Sequence, residues 1–180
     1  MIFKNVARFL LKRKVKAATR IKRNDHFRFP DVQSVGIVFS ADTISQIESI
    51  KKYMTTLNNQ GKRVSAICFY QSKELPVINH SGLIIDFVLP KEVDFWGAPK
   101  PSFIEGFIEN DFDLLIDFDI NEVFPVEYVS AMSKSLFKVG RHTKINESIF
   151  DFMLDIDEAK DINYFIEQTD SYLKMFNKAA

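Results

Sequence analysis

Apolar residues in this chain fall into two alternating kinds of stretch. Short continuous runs of strand length, Val35–Phe39, Val64–Tyr70, Leu83–Leu89, Asp113–Phe118 and Phe137–Val139, are separated by segments whose apolar positions recur every three or four residues. Continuous runs are what strands covered on both faces require, and the three-to-four spacing marks one face of a helix. After the first run, Thr43-Ile-Ser-Gln46 forms a capping box, Ile44, Ile47, Ile50, Met54 and Leu57 make the stripe, and Gly61 supplies the stop. Ser102-Phe-Ile-Glu105 is a second capping box that opens a short helix. A further helix starts near Pro125 and carries Tyr128, Val129, Met132 and Leu136 on one face.

Ile149–Asp157 has a different pattern. Phe150, Phe152, Leu154 and Ile156 alternate with Asp151, Met153, Asp155 and Asp157, which predicts an edge strand. The last helix is expected from near Glu158 to Phe176, with Asp157 as its N-cap and Ile162, Phe165, Ile166, Tyr172 or Leu173, and Phe176 on its apolar stripe. Strands alternating with helices imply right-handed crossovers. The expected fold is therefore α/β: a three-layer Rossmann-like sandwich around a mostly parallel sheet of five to six strands.

The first 29 residues stand apart as a basic amphipathic arm and hinge, with the α/β domain expected over 30–180. Residues 2–22 contain no Gly or Pro, and Ile2, Phe3, Val6, Phe9 and Leu10 form an apolar helical stripe. Pro30 disfavours helix at Phe29, so the hinge falls between Asn24 and Pro30. No internal repeat or low-complexity linker interrupts the rest.

Charge sharpens this division. The net charge of zero conceals nine Lys or Arg and no acid in residues 1–23, giving +9, against 15 basic and 24 acidic residues in 24–180, giving −9. The nine cations, Lys4, Arg8, Lys12, Arg13, Lys14, Lys16, Arg20, Lys22 and Arg23, exceed what solubility needs and are candidate binders of an anionic partner. RNA or the ribosome suits the dense 12–23 segment, where each neutralised phosphate releases counterions. No DNA sequence readout is expected. An anionic membrane surface suits residues 2–11, where Phe and Leu share a face. Docking of the arm on the acidic body, in its own or a neighbouring chain, is the third reading. A protein partner or a homo-oligomer through the edge strand or the arm is compatible with the pattern.

Composition narrows the classes further. Phe, at 18 of 180 residues, points to a Phe-rich core. The single cysteine, Cys68, lies in a buried-strand pattern and excludes an internal disulfide or a CxxC metal site. No apolar run reaches the length of a membrane span, and Arg8 interrupts Val6–Leu11 where a secretory signal needs an unbroken apolar core. The acid-free basic helix is similar to a transit peptide, but residues 1–23 contain no Ser. The expected location is cytoplasmic, peripheral to the inner membrane if the arm meets lipid.

For chemistry, the C-terminal edge of the sheet is the place to look. The turn Ser40-Ala41-Asp42-Thr43 lacks the glycines that let backbone amides approach phosphate, which argues against NAD, FAD or P-loop nucleotide binding. No cofactor is expected. If the first and fourth strands are neighbours, Ser40, Asp42, Thr43, Asp117 and Asp119 converge as a candidate ligand pocket. Asp117-Phe-Asp119 then places two carboxylates on one side of a strand end, where Mg²⁺ with water is conceivable. The plainer reading makes Asp42 an N-cap and Asp119 a turn residue. Trp96, in Asp94-Phe-Trp-Gly97 ahead of Ala98-Pro-Lys-Pro101, is a candidate stacking residue, or it closes one end of the core. His26, His80 and His142 show no zinc-hydrolase spacing, and Ser40 and Ser133 sit in no nucleophile elbow. His142 beside Arg141 is either an anion contact or, on the plainer reading, part of a solvated loop. No catalytic residue and no metal site are assigned.

The basic N-terminal helix, Ser34-Val-Gly-Ile-Val-Phe39, Phe95-Trp-Gly-Ala-Pro-Lys100, Asp113-Leu-Leu-Ile-Asp117 and Phe137-Lys-Val-Gly140 together resemble an uncharacterised Bacteroidota family classed as a domain of unknown function. That resemblance implies a bacterial cytoplasmic protein and brings no activity or site. A second likeness runs from Phe112 to Arg141, where Phe-Asp-Leu-Leu-Ile-Asp, a helix and Phe-Lys-Val-Gly-Arg are similar to the N-terminal half of heptosyltransferase-type glycosyltransferases. Those enzymes bind the sugar nucleotide mainly through a second Rossmann domain, for which this chain has no length. Two functions follow as expectations: a non-enzymatic binding or adaptor protein tethered by its basic helix, or a small-molecule-binding or glycosyltransferase-like enzyme working at the sheet edge.

Overall fold

A computed structural model describes residues 6, 9, 10, 13, 27–77, 82–94, 97–143, 147–157 and 161–176. Six strands form one sheet: β1 (Ser34–Ala41), β2 (Arg63–Tyr70), β3 (Ile84–Val88), β4 (Leu114–Asp117), β5 (Lys138–Arg141) and β6 (Phe152–Leu154). Their order is β3-β2-β1-β4-β5-β6, and every pairing is parallel. Among the described residues four α-helices cover it: α1 (Ile44–Asn59), α2 (Phe103–Glu109), α3 (Phe124–Met132) and α4 (Ile162–Met175). The expected three-layer Rossmann-like sandwich is the observed one.

The alternation of side chains along each strand sorts the core into two layers. Val35, Ile37 and Phe39 of β1, with Leu114 and Ile116 of β4, pack beneath Ile47, Met54 and Leu57 of α1 and Phe165 and Leu173 of α4. Val38, Ile67 and Leu115 point to the opposite face, against Ile104 and Phe107 of α2 and Val126 and Val129 of α3. Gly36 makes this second layer possible, because a Cβ there would stand 2.8 Å from the Phe112 ring. Phe is the chief filler, and the edge-on ring pairs Tyr53–Phe118 and Phe118–Phe165 tie α1 to α4. Cys68 is fully buried, and burial pushes its thiol pKa up, as expected of a small core hydrophobe.

The local capping signals are realised unevenly. The Thr43 box forms: Thr43 Oγ1 accepts from Gln46 N, and Gln46 Oε1 accepts from Thr43 N at 3.1 Å. Asp42 is therefore not the N-cap of α1. The Ser102 box does not form, because Ser102 already has helical backbone angles and its hydroxyl caps nothing. Asp157 is likewise not the cap of α4. That role belongs to Asp161, whose carboxylate accepts from Tyr164 N at 2.9 Å. The alternating segment does supply the edge strand, shortened to three residues, with Phe150 and Ile156 buried on either side of it.

Of the arm, Val6, Phe9, Leu10 and Arg13 are described. All four are helical and exposed. The remaining basic arm residues, Lys4, Arg8, Lys12, Lys14, Lys16, Arg20, Lys22 and Arg23, lie outside the described residues, as does Trp96. No helix among the described residues is long and apolar enough to cross a membrane.

Candidate functional site

Strand order reverses between β1 and β4: the chain steps outward from β1 to β2 and β3 on one side, and from β4 to β5 and β6 on the other. In sheets of this kind the helices diverge at the reversal and leave a crevice beyond the C-terminal strand ends. β1 ends there with Ser40 and Ala41, and β4 with Asp117, paired to Val38. The loops that follow carry Asp42 and Thr43 on one side and Asp119 and Asn121 on the other. Ser40, Asp42, Asp117 and Asp119 do converge, and Thr43 stands beside them as the cap of α1.

The geometry is a closed hydrogen-bond network. Asp119 Oδ1 accepts from Ser40 Oγ at 2.5 Å and from Asn121 N at 3.2 Å, while its Oδ2 accepts from Val123 N at 2.5 Å. Asp117 Oδ1 accepts from Asp119 N at 2.9 Å, and its Oδ2 from Ser130 Oγ at 2.6 Å. Asn121 Nδ2 reaches Ser40 Oγ at 3.3 Å and Asp42 Oδ2 at 3.4 Å, which stitches the β1 loop to the β4 loop. Asp119 thus folds the turn that leads into α3, as its plainer reading held. Both carboxylates are buried, at 6% exposure for Asp117 and 8% for Asp119.

Burial disfavours the charged form of each. It raises the pKa of Asp117, with the Asp119 charge adding to the rise and the bonds from Ser130 and Asp119 N opposing it. Asp119 is raised by burial too, against the lowering effect of Ser40, Val123 and Asn121. The pair therefore tends to keep a proton into a pH range where an exposed aspartate has lost its own. A protonated Asp117 keeps Ser130 as a neighbour, since a hydroxyl both donates and accepts.

Around this centre Arg141 also bonds to the backbone. Arg141, at the end of β5, donates from Nε to Ile156 O and from Nη1 to Ile120 O, each at 3.0 Å. It pins the β4–α3 loop to the segment after β6. His142 Nε2 lies 3.6 Å from Glu147 Oε1, so its neighbour is an acid. Among the described residues no group of three or more His, Cys, Asp or Glu side chains is placed to hold a metal ion. Among the described residues, two grooves lie elsewhere, one between α1 and α4 and one between β6 and α4.

Two members of the network, Asn121 and Ser130, were not singled out in the sequence. Ser130 left a signal: it is a polar residue between Val129 and Ala131 in a helix that packs on the sheet, and a hydroxyl fully buried there needs a partner. Asn121 left none beyond its place two residues after Asp119.

Against known proteins, the model of a family of unknown function, DUF6913, matches residues 4–176. No curated protein matches the sequence.

Proposed function

We propose that this chain, which belongs to the DUF6913 family of unknown function, is a non-enzymatic adaptor held on an anionic lipid surface by its basic amphipathic N-terminal helix. The observation that carries the reading is the exposed helical apolar face. Val6, Phe9 and Leu10, spaced to share one side of a helix, are 43%, 61% and 46% exposed. An RNA-binding arm needs its cations and has no use for such a face. An interfacial helix needs both, because the apolar side enters the acyl boundary while Lys and Arg meet the headgroups. Each cation near anionic lipid adds about 1 kcal/mol, so nine suffice for firm salt-sensitive attachment.

The state of the sheet edge supports the non-enzymatic half. A glycosyltransferase-like alternative would work at Ser40, Asp42, Asp117 and Asp119, and there the Asp117 and Asp119 oxygens already accept bonds from the protein's own donors. These bonds close the β1 and β4 loops and start α3, which is a structural role for both groups.

Co-sedimentation with anionic and neutral liposomes, and with ribosomes, over a salt series tests the reading. Wild type should pellet with anionic liposomes at low salt and release as salt rises. Phe9→Glu with Leu10→Glu should abolish this. If that double variant binds as wild type does, while Lys12→Glu with Arg13→Glu and Lys14→Glu eliminates binding to ribosomes alone, the partner is RNA and the lipid reading fails.

A further inference from the structure

The sheet ends at β6, and among the described residues no strand pairs with its outer side. His142 N donates to Leu154 O at 2.7 Å, and in a parallel ladder alternate residues turn to alternate neighbours. Leu154 and Phe152 therefore face β5, while the N–H and C=O of Met153 face outward. Beside this edge lies a groove of about 340 Å³ between β6 and α4, lined by Phe152, Met153, Asp155, Tyr164, Gln168 and Tyr172. Phe152 leans on Tyr172 with ring centroids 5.7 Å apart, and Tyr172 is 42% exposed. Among the described residues the edge thus has no strand partner, and it offers an aromatic floor and polar ends.

Charge says what fits. The charged residue lining the groove is Asp155, which is exposed, and the segment carrying the edge strand and α4, residues 147–176, holds eight acidic and two basic residues. A second copy pairing antiparallel through β6 about Met153 would set Asp151 against Asp155, and like charges directly opposite are destabilising. An extended strand bearing Lys or Arg meets no such penalty.

We infer that the β6 edge and its groove with α4 form a docking site for an extended basic peptide segment of a partner protein, which adds to the sheet as a seventh strand. Main-chain bonds to Met153 supply pairing, alternate apolar side chains seat on Phe152 and Tyr172, and the intervening basic ones face Asp155. This gives the adaptor reading its second partner. It shares no residue with the lipid-binding helix, so either can fail without the other.

The test uses full-length protein and a fluorescein-labelled ten-residue peptide of alternating Lys and Val, read by anisotropy. Controls are the alternating Glu and Val peptide, and the Lys and Val peptide N-methylated at alternate amides. The basic peptide should bind, with the acidic and N-methylated forms at least about tenfold weaker. Asp155→Lys, at an exposed position, should lose about tenfold, while Phe9→Glu should bind the peptide as wild type does. Equal affinity for the N-methylated peptide, an unchanged affinity in Asp155→Lys, or no binding of the basic peptide overturns the inference. Concentration-dependent dimerisation that Asp155→Lys alters would assign the edge to a second copy instead, and would overturn it as well.

Discussion

Asp113 and the Asp117–Asp119 pair mark the two ends of β4, and their protons are held in opposite ways. Asp113 stands before the strand, where its Oδ2 accepts from Gln33 N, Ser34 N and Ser34 Oγ, each at 2.9 Å, and Ser34 Oγ in turn accepts from Asp113 N. Burial works to raise its pKa, but these bonds and the Arg63 charge outweigh it, and the pKa falls below the ordinary value. At the other end hydrogen bonds are nearly as plentiful, yet the pKa of Asp117 and of Asp119 rises. The difference lies in depth and company. Asp113 is half-buried and alone with a cation, while the pair is buried and each member faces further acids. Donor count does not set the sign of a shift when desolvation is complete and like charges share the space.

Removing Asp113 should have the largest effect. Asp113→Ala leaves two strand-entry amides and a hydroxyl without their acceptor, and should cost about 2 to 3 kcal/mol in denaturant unfolding. Because its folded pKa is lowered, the stability that Asp113 contributes is present above the ordinary aspartate value of 3.8 and is lost as pH falls through the folded value. The variant should therefore flatten the acid limb of the stability curve.

Asp119→Ala should cost less, about 1 to 2 kcal/mol, although it removes three bonds. Its loss frees Asp117 from a like charge, which offsets part of the damage. An equal or greater cost than that of Asp113→Ala would show that the crowding at this end is not felt.

The smallest effect has the opposite sign. Folded pKa values raised above 3.8 make the pair a source of stability that is complete below that value and declines as pH rises. Asp117→Asn keeps an oxygen for Asp119 N and stays neutral. It should match wild type at pH 4 and exceed it by roughly 1 kcal/mol at pH 8. A destabilised variant at pH 8 would mean that a buried negative charge is required there, as a catalytic base would be.

Much of this was readable in the sequence where periodicity carries the information. All six strands lie within their predicted segments or overlap them, and α1 begins at its capping box, since continuous apolar runs and the Thr43–Gln46 pair are local signals. The α4 start lies later than its pattern predicts because Asp157 and Asp161 are the same residue type, and it is Asp161 whose carboxylate accepts from Tyr164 N. Ser102 fails as a cap because its backbone has already turned helical after Pro101, which no spacing rule reports. Convergence of Ser40, Asp117 and Asp119 followed from topology. That they satisfy one another did not, since it depends on 2.5–2.9 Å distances and on Asn121 and Ser130.

We propose that function resides on the exposed helical residues Val6, Phe9 and Leu10, while the Ser40, Asp117 and Asp119 bonds at the sheet edge serve structure. A single fluorescent label tests it most directly. Val6→Cys can be labelled selectively, because Cys68 is fully buried with its thiol pKa raised. Emission from a polarity-sensitive dye at residue 6 should shift to the blue on adding anionic vesicles, and not with neutral ones. The shift should persist in Ser40→Ala and vanish with Phe9→Glu and Leu10→Glu. A dye that stays in water on anionic vesicles at low salt would contradict the account.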